Sequence, residues 1–320
     1  MKLDKALLLR VGAGVLPVLI IAVISGKVRD ALWAGVQQGA MIALVALGYT
    51  MVYGILKLIN FAHSEVFMMS AFFGLLLTMG FGAETSPVFA GVVGTLCAMV
   101  LAGMLGVTVE KIAYAPLRTR TRGKSNTNTR ITPLVTALGM SVLLQNLAQL
   151  IFSATRRSYP QLLPINYVRP IVFVLAVTVM IVLQLFVYGT WFGKAMRAVS
   201  VNMEAARLMG IRTNRIIAMT FVTGSMLAAI GAVLYCLSQS QVYPTMGATI
   251  GNRSFVAAVI GGIGSIPGAM LGGVLIGVVG ELTKLTDYSG LQDVIIFVVL
   301  IAVLLVRPTG LLGKAGTEKV

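Results

Sequence analysis

The segment Tyr53-Gly-Ile-Leu-Lys-Leu-Ile-Asn-Phe-Ala-His-Ser-Glu-Val-Phe-Met-Met69 is the most unusual in the chain, because it sets polar and ionisable groups at the head of an apolar helix. Asn60, His63, Ser64 and Glu65 could line or gate a pathway, and His63 is the single histidine. A plainer reading is that Asn60 and Ser64 cap a helix while Glu65 sits at its positive end. Gln37, Gln38, Gln145 and Asn146 lie deeper in apolar runs. Buried amides need partners, so they either bond between helices or face a wet pathway. Apart from His63 and Glu65 no nucleophile, base or metal set is clustered, and Cys97 and Cys236 stand alone, so neither catalysis nor a metal is expected. Gly123-Lys124-Ser125 ends like a phosphate-binding loop, but Arg118 stands where its first glycine would be. No ATP site and no cofactor are expected of this chain.

The elements that must hold these groups are membrane helices. Hydrophobic residues make up 58% of the chain and charged ones 11%, with a mean hydropathy of +0.93. A soluble domain carries about a quarter charged residues. Val11–Ser25, Ala31–Tyr53, Pro87–Val109, Ile131–Ser153, Ile171–Phe192 and Ile216–Leu237 are nearly free of charge. A helix of about 20 such residues crosses a hydrocarbon core. The fold class expected is all-α, a polytopic transmembrane bundle forming one domain over 1–320, with about eight to ten membrane segments.

A net charge of +15 would suggest nucleic acid in a soluble protein. Here the basic residues fall in short loops between apolar runs, which is the positive-inside pattern. Membrane lipid is therefore the expected surroundings, and nucleic acid is not an expected partner. The loops Lys111–Arg130 and Gly193–Arg215 carry most of that charge and should be cytoplasmic. The start, Met1 to Arg10, resembles the basic region of a signal peptide, but no A-x-A-type site follows, which reads as a retained first span. Counting crossings back from Lys111 places the amino terminus in the cytoplasm.

Counting forward, runs 216–237, 253–280 and 291–306 as three simple crossings would leave Arg307, Lys314 and Lys319 outside. A broken or re-entrant segment near 253–280, or two short tilted helices, restores the parity and brings the carboxyl terminus inside. Gly261, Gly262, Gly264, Pro267 and Gly268 supply the break. Non-helical backbone at membrane depth must be covered by protein or water, so the break is expected in the bundle interior. Glu65, His63, Asp293 and Glu110 fall near span ends, which weakens an ion-coupled carrier.

Within the second basic loop, Glu204 through Met209 are good helix formers and Gly210 can end them in a left-handed turn. The short helix could lie on anionic lipid or serve as a docking element for a cytoplasmic partner. Gly35/Gly39, Gly268/Gly272 and Gly273/Gly277 have the spacing that lets helix backbones approach closely.

Ala43-Leu-Val-Ala-Leu-Gly-Tyr-Thr-Met-Val-Tyr-Gly54, Ile59–Glu65, Glu204-Ala-Ala-Arg-Leu-Met-Gly-Ile211 and Gly261–Gly273 together resemble the permease subunits of branched-chain amino-acid ABC importers, of the LivH type. The closing Arg307-Pro-Thr-Gly-Leu-Leu312 fits as well. The resemblance implies a non-enzymatic, multi-pass subunit of the inner (plasma) membrane. It also implies a second, LivM-type permease, two cytoplasmic ATP-binding subunits that use ATP and Mg, and an external substrate-binding protein. It carries the family's coupling loop onto Glu204, Ala205, Ala206 and Gly210. Members of this family serve leucine-type amino acids, urea or short amides. The stretch Arg118–Arg130 departs from the family in being longer and richer in Thr and Asn.

Overall fold

A computed structural model describes residues 26–120 and 131–313. The expected first span, the Gly123–Ser125 stretch, most of Arg118–Arg130 and the last basic residues lie outside them. Among the described residues, 8 helices are long and apolar enough to cross a membrane. In chain order the helices are α1 (Gly26–Leu56), α2 (His63–Gly80), α3 (Pro87–Val109) and α4 (Ala115–Arg120), with a π-helical turn, Glu110–Tyr114, joining the last two. There follow α5 (Ile131–Phe152), α6 (Ile165–Gly189), α7 (Trp191–Val201), α8 (Met203–Leu208) and α9 (Thr213–Gln239). The chain closes with α10 (Met246–Gly261), α11 (Ile266–Thr283) and α12 (Gln292–Val306).

The core is built around α1, whose most extensive contact is with α11. The two run antiparallel: Gly35 meets Val278, Gly39 meets Val274, and Gly273 meets Ala43. A methyl group at Gly35 or Gly39 would lie 2.6 Å from the Cα of Val278 or Val274. Lipid gives helices no hydrophobic reason to associate, so close van der Waals packing between small residues supplies the attraction. Helices α2 and α9 complete the buried centre, whereas α5, α6 and α12 are largely exposed. That exposure suits lipid or another subunit, since apolar side chains carry no penalty against acyl chains.

The interrupted segment is present as two helices, α10 and α11, packed as a hairpin. Its turn is made by Gly262 and Gly264, at φ +101° and +95°, conformations costly for a residue with a Cβ. Ser265 then caps α11, its Oγ accepting from the Gly268 amide at 3.2 Å. Of the residues that make the break, Gly261, Gly262 and Gly268 are buried, Pro267 is half-buried and Gly264 is exposed. Gly264 and Ile266 share a small cavity with Val187, Met196, Arg197 and Ser200, so the turn lies at the end of the bundle that carries α7. The residues after α12 fold onto it, with the amides of Leu311 and Leu312 donating to the carbonyls of Ile260 and Gly261 at 2.8 and 3.0 Å. Backbone groups freed at the turn are thus satisfied by protein.

A two-residue antiparallel pairing of Arg157–Ser158 with Gln241–Val242 joins the α5–α6 and α9–α10 connections. Tyr159 extends it, its amide donating to the Ser240 carbonyl at 3.1 Å and its hydroxyl lying 3.4 Å from Thr78 Oγ1 near the end of α2. Burial pushes the Tyr159 phenol up to about 12, so it remains a neutral hydrogen-bonding group.

Candidate functional site

Two regions gather the residues singled out from the sequence. The first is the connection between α6 and α9. Thr190 adopts an extended conformation after α6, and its Oγ1 accepts from the Gly193 amide at 3.2 Å, which starts α7. Phe192, Ala195, Met196 and Val199 are buried while Trp191, Lys194 and Ala198 are exposed, so α7 lies on the bundle by one apolar stripe. The Arg197 guanidinium donates to the Val187 carbonyl and sits 5.3 Å from the centre of the Tyr188 ring, fixing α7 to the last turn of α6.

Asn202 then breaks and restarts the helix. Its Oδ1 accepts from the amides of Glu204 and Ala205, both at 3.0 Å, and α8 begins. Glu204 stands in the first turn of α8, where its charge complements free amides. Gly210 has φ +83°, its amide donates to the Arg207 carbonyl and that of Ile211 to the Ala206 carbonyl, each at 3.0 Å. This pair of bonds is the Schellman termination that a glycine permits. Arg207 reaches Thr213 Oγ1 at 3.3 Å, tying α8 to the start of α9. Ala206 is the buried residue of α8, while Glu204, Ala205 and Gly210 are exposed. Val201, Leu208 and Met209 are left 87%, 89% and 82% exposed beside them.

The second region is the turn into α2. Asn60 Oδ1 accepts from the Ala62 amide at 3.1 Å and from the Tyr114 hydroxyl at 2.9 Å, so it shapes the turn and anchors the π-helical segment. Ser64 does not cap the helix: its Oγ donates to the Phe61 carbonyl at 2.8 Å. The reason is register, since α2 begins at His63 and Ser64 is already inside its first turn. The His63 ring meets Tyr49 edge-on at 4.8 Å and lies against Gly48 and Gly224, wedged between α1 and α9. Glu65 Oε1 lies 3.4 Å from both Ser64 Oγ and Ser141 Oγ. Asn60, His63, Ser64 and Glu65 are all buried, and His63 Nε2 and Glu65 Oε2 have no hydrogen-bond partner.

The remaining candidate residues sit elsewhere. Gln37 and Gln38 are buried in the first half of α1, with Gln37 Nε2 unpartnered. Gln145 is half-buried on α5. Asn146 is exposed and donates to the Val142 carbonyl of its own helix at 2.8 Å, so within this chain it neither bridges helices nor faces an interior path. Sequence reasoning passed over Tyr114 and Ser141, which only packing brings to the turn, the buried Ser254, and Arg253, which pairs with Asp293 at 2.8 Å. The four-residue spacing of Gly247 and Gly251 was the available signal: those glycines lie against Glu65 and Ser64.

Comparison with known proteins agrees with this architecture. Residues 32–304 match the family model described as the permease component of the branched-chain amino acid transport system. The chain is 39% identical over 303 residues to the high-affinity branched-chain amino acid transport system permease protein BraD of Pseudomonas aeruginosa, covering 89% of this chain and 96% of the relative. It is 37% identical over 305 residues, at the same coverage, to the LivH permease protein of Escherichia coli. A probable LivH protein of Methanocaldococcus jannaschii is 26% identical over 292 residues, covering 85% of this chain and 89% of that one. No solved structure matches the chain. The motifs, the helical bundle and this near-full-length similarity lead to one conclusion: the chain belongs to the family of branched-chain amino acid ABC transport permeases.

Proposed function

We propose that this chain is a membrane-spanning subunit of an ABC importer that moves branched-chain, hydrophobic amino acids delivered by an external binding protein. Hydrolysis of ATP, with Mg, takes place in two separate cytoplasmic subunits. The observation that carries the reading is the α7–α8 platform, where Asn202, Gly210 and Ala206 hold a short helix rigidly while Val201, Leu208 and Met209 face outward. Such side chains, with Glu204 and Ala205 beside them, offer a moving partner a surface with little slack. Force applied there reaches α6 through Arg197 and α9 through the Arg207–Thr213 contact.

Lys194, Arg197, Arg207, Arg212 and Arg215 accompany the platform, which supports a cytoplasmic placement. The residues after α12, bonded to Ile260 and Gly261 at the end of α10, lie at that same end and are cytoplasmic on this reading, as is the amino terminus. The exposed apolar helices α5, α6 and α12 give room for a second, LivM-type permease as well as lipid. Gln37, Gln38, Asn60, His63, Glu65, Gln145 and Asn146 remain the polar groups proposed to serve the pathway, Asn146 only from a face shared with another subunit.

The test is uptake of labelled leucine into proteoliposomes holding this chain, its partner permease and the ATPases, with binding protein outside and ATP inside. Uptake that needs ATP and survives an uncoupler supports the reading. Uptake driven by an ion gradient without ATPases would replace it with a secondary carrier, and uptake of urea or acetamide but not leucine would reassign the substrate.

A further inference from the structure

We propose that Glu65, with Ser64 and Ser141, is the station that holds the α-ammonium group of the amino acid as it passes between α2, α5 and α10. The proposal rests on the transport reading above. Glu65 is 2% exposed, and no salt bridge among the described residues includes it. Its Oε1 has only two long contacts of 3.4 Å, and its Oε2 has none. A carboxylate taken out of water without a cation is expensive. A zwitterionic substrate brings the missing cation with it, and its ammonium donates three hydrogen bonds.

Small residues of α10 pack directly against the carboxyl group. Gly247 of α10 packs directly against Oε2, since a methyl group there would lie 2.7 Å from the oxygen and 2.7 Å from the Ser64 carbonyl, so a group reaches this oxygen only when the helices part. Gly251 and Ser254 follow on the same face of α10, four and seven residues on, and the Ser254 hydroxyl is buried without a partner. On the opposite wall Gln145 stands one turn beyond Ser141 on α5 and is half-buried. That wall is thin: α5 packs mainly on α2 and the π-helical turn and is otherwise exposed. A displacement of α5 from α2 uncovers Glu65 without disturbing the α1–α11 core.

Glu65→Gln tests the assignment, because it keeps the size and the acceptor oxygen of the side chain and removes its charge. The complete importer is reconstituted with a binding protein first shown to hold leucine. Exchanging a charge-assisted for a neutral hydrogen bond should slow leucine uptake about tenfold. The unfolding midpoint should stay at the wild-type level, because size and the acceptor oxygen are kept. Wild-type uptake by Glu65→Gln overturns the proposal, since a hydrogen-bonding or packing role would survive the change. If that variant assembles poorly, Glu65→Asp is compared with Glu65→Asn, which differ in charge at equal length; equal uptake by the two also overturns it. A wild-type importer that carries urea or an amide but no leucine refutes the transport reading instead, and the ammonium station falls with it.

Discussion

Gly273 of α11 lies against Ala43 of α1 so closely that a methyl group added there would be 2.6 Å from both the Cα and the Cβ of Ala43. Backbone faces backbone at this point, so no side chain can swing aside. Gly273→Val should therefore separate α1 from α11 and lower stability by about 1–3 kcal/mol, the usual range for overpacking. Gly54→Ala, on the same helix α1 but with nothing within 4 Å of the added carbon, should be neutral or slightly stabilising. Thermal unfolding in detergent compares the two, and equal midpoints would remove the seam from the account of the core.

At Gly210 the strain is local rather than steric with neighbours. Its φ is +83° and nothing lies within 4 Å of an added Cβ, so a substitution acts through the backbone alone. Gly210→Val should cost about 1 kcal/mol or more in the left-handed conformation and loosen the end of α8. Membrane insertion should persist while leucine uptake falls. Gly210→Asn should do less harm, since Asn tolerates that conformation. If stimulation of ATP hydrolysis by loaded binding protein is unchanged in Gly210→Val, α8 is not the coupling element.

The Gly262–Ser265 turn sits with the α7 end of the bundle, and this predicts a sidedness. In a background with Cys97 and Cys236 replaced, Ser265→Cys should react with a membrane-impermeant thiol reagent in inverted vesicles and not in intact cells. A tag after Val320 should be protected in intact cells for the same reason, because the chain after α12 is bonded to Ile260 and Gly261, just before this turn. Labelling from outside would reverse the orientation proposed for the whole bundle.

Much of this protein was determined by one-dimensional features. Apolar runs of span length fix helices, because unpaired backbone cannot face lipid. The local chemistry of Asn202, Glu204 and Gly210 separately sets the limits of α8. The glycine pairs announced close approach, and the Gly261–Gly268 stretch announced an interruption. What tertiary structure decided was which surfaces meet: that Gly35 and Gly39 pack on α11, that the interruption is a hairpin turn at the α7 end, and that Asn146 points away from the bundle. It also brought Ser141 to Glu65 across 76 residues of chain and Tyr114 to Asn60 across 54. An isolated serine or tyrosine in an apolar run carries no local sign of its partner. In a membrane, where every exposed face is apolar, hydropathy cannot say which face turns inward, so the polar junction around Glu65 exists only once the helices have packed.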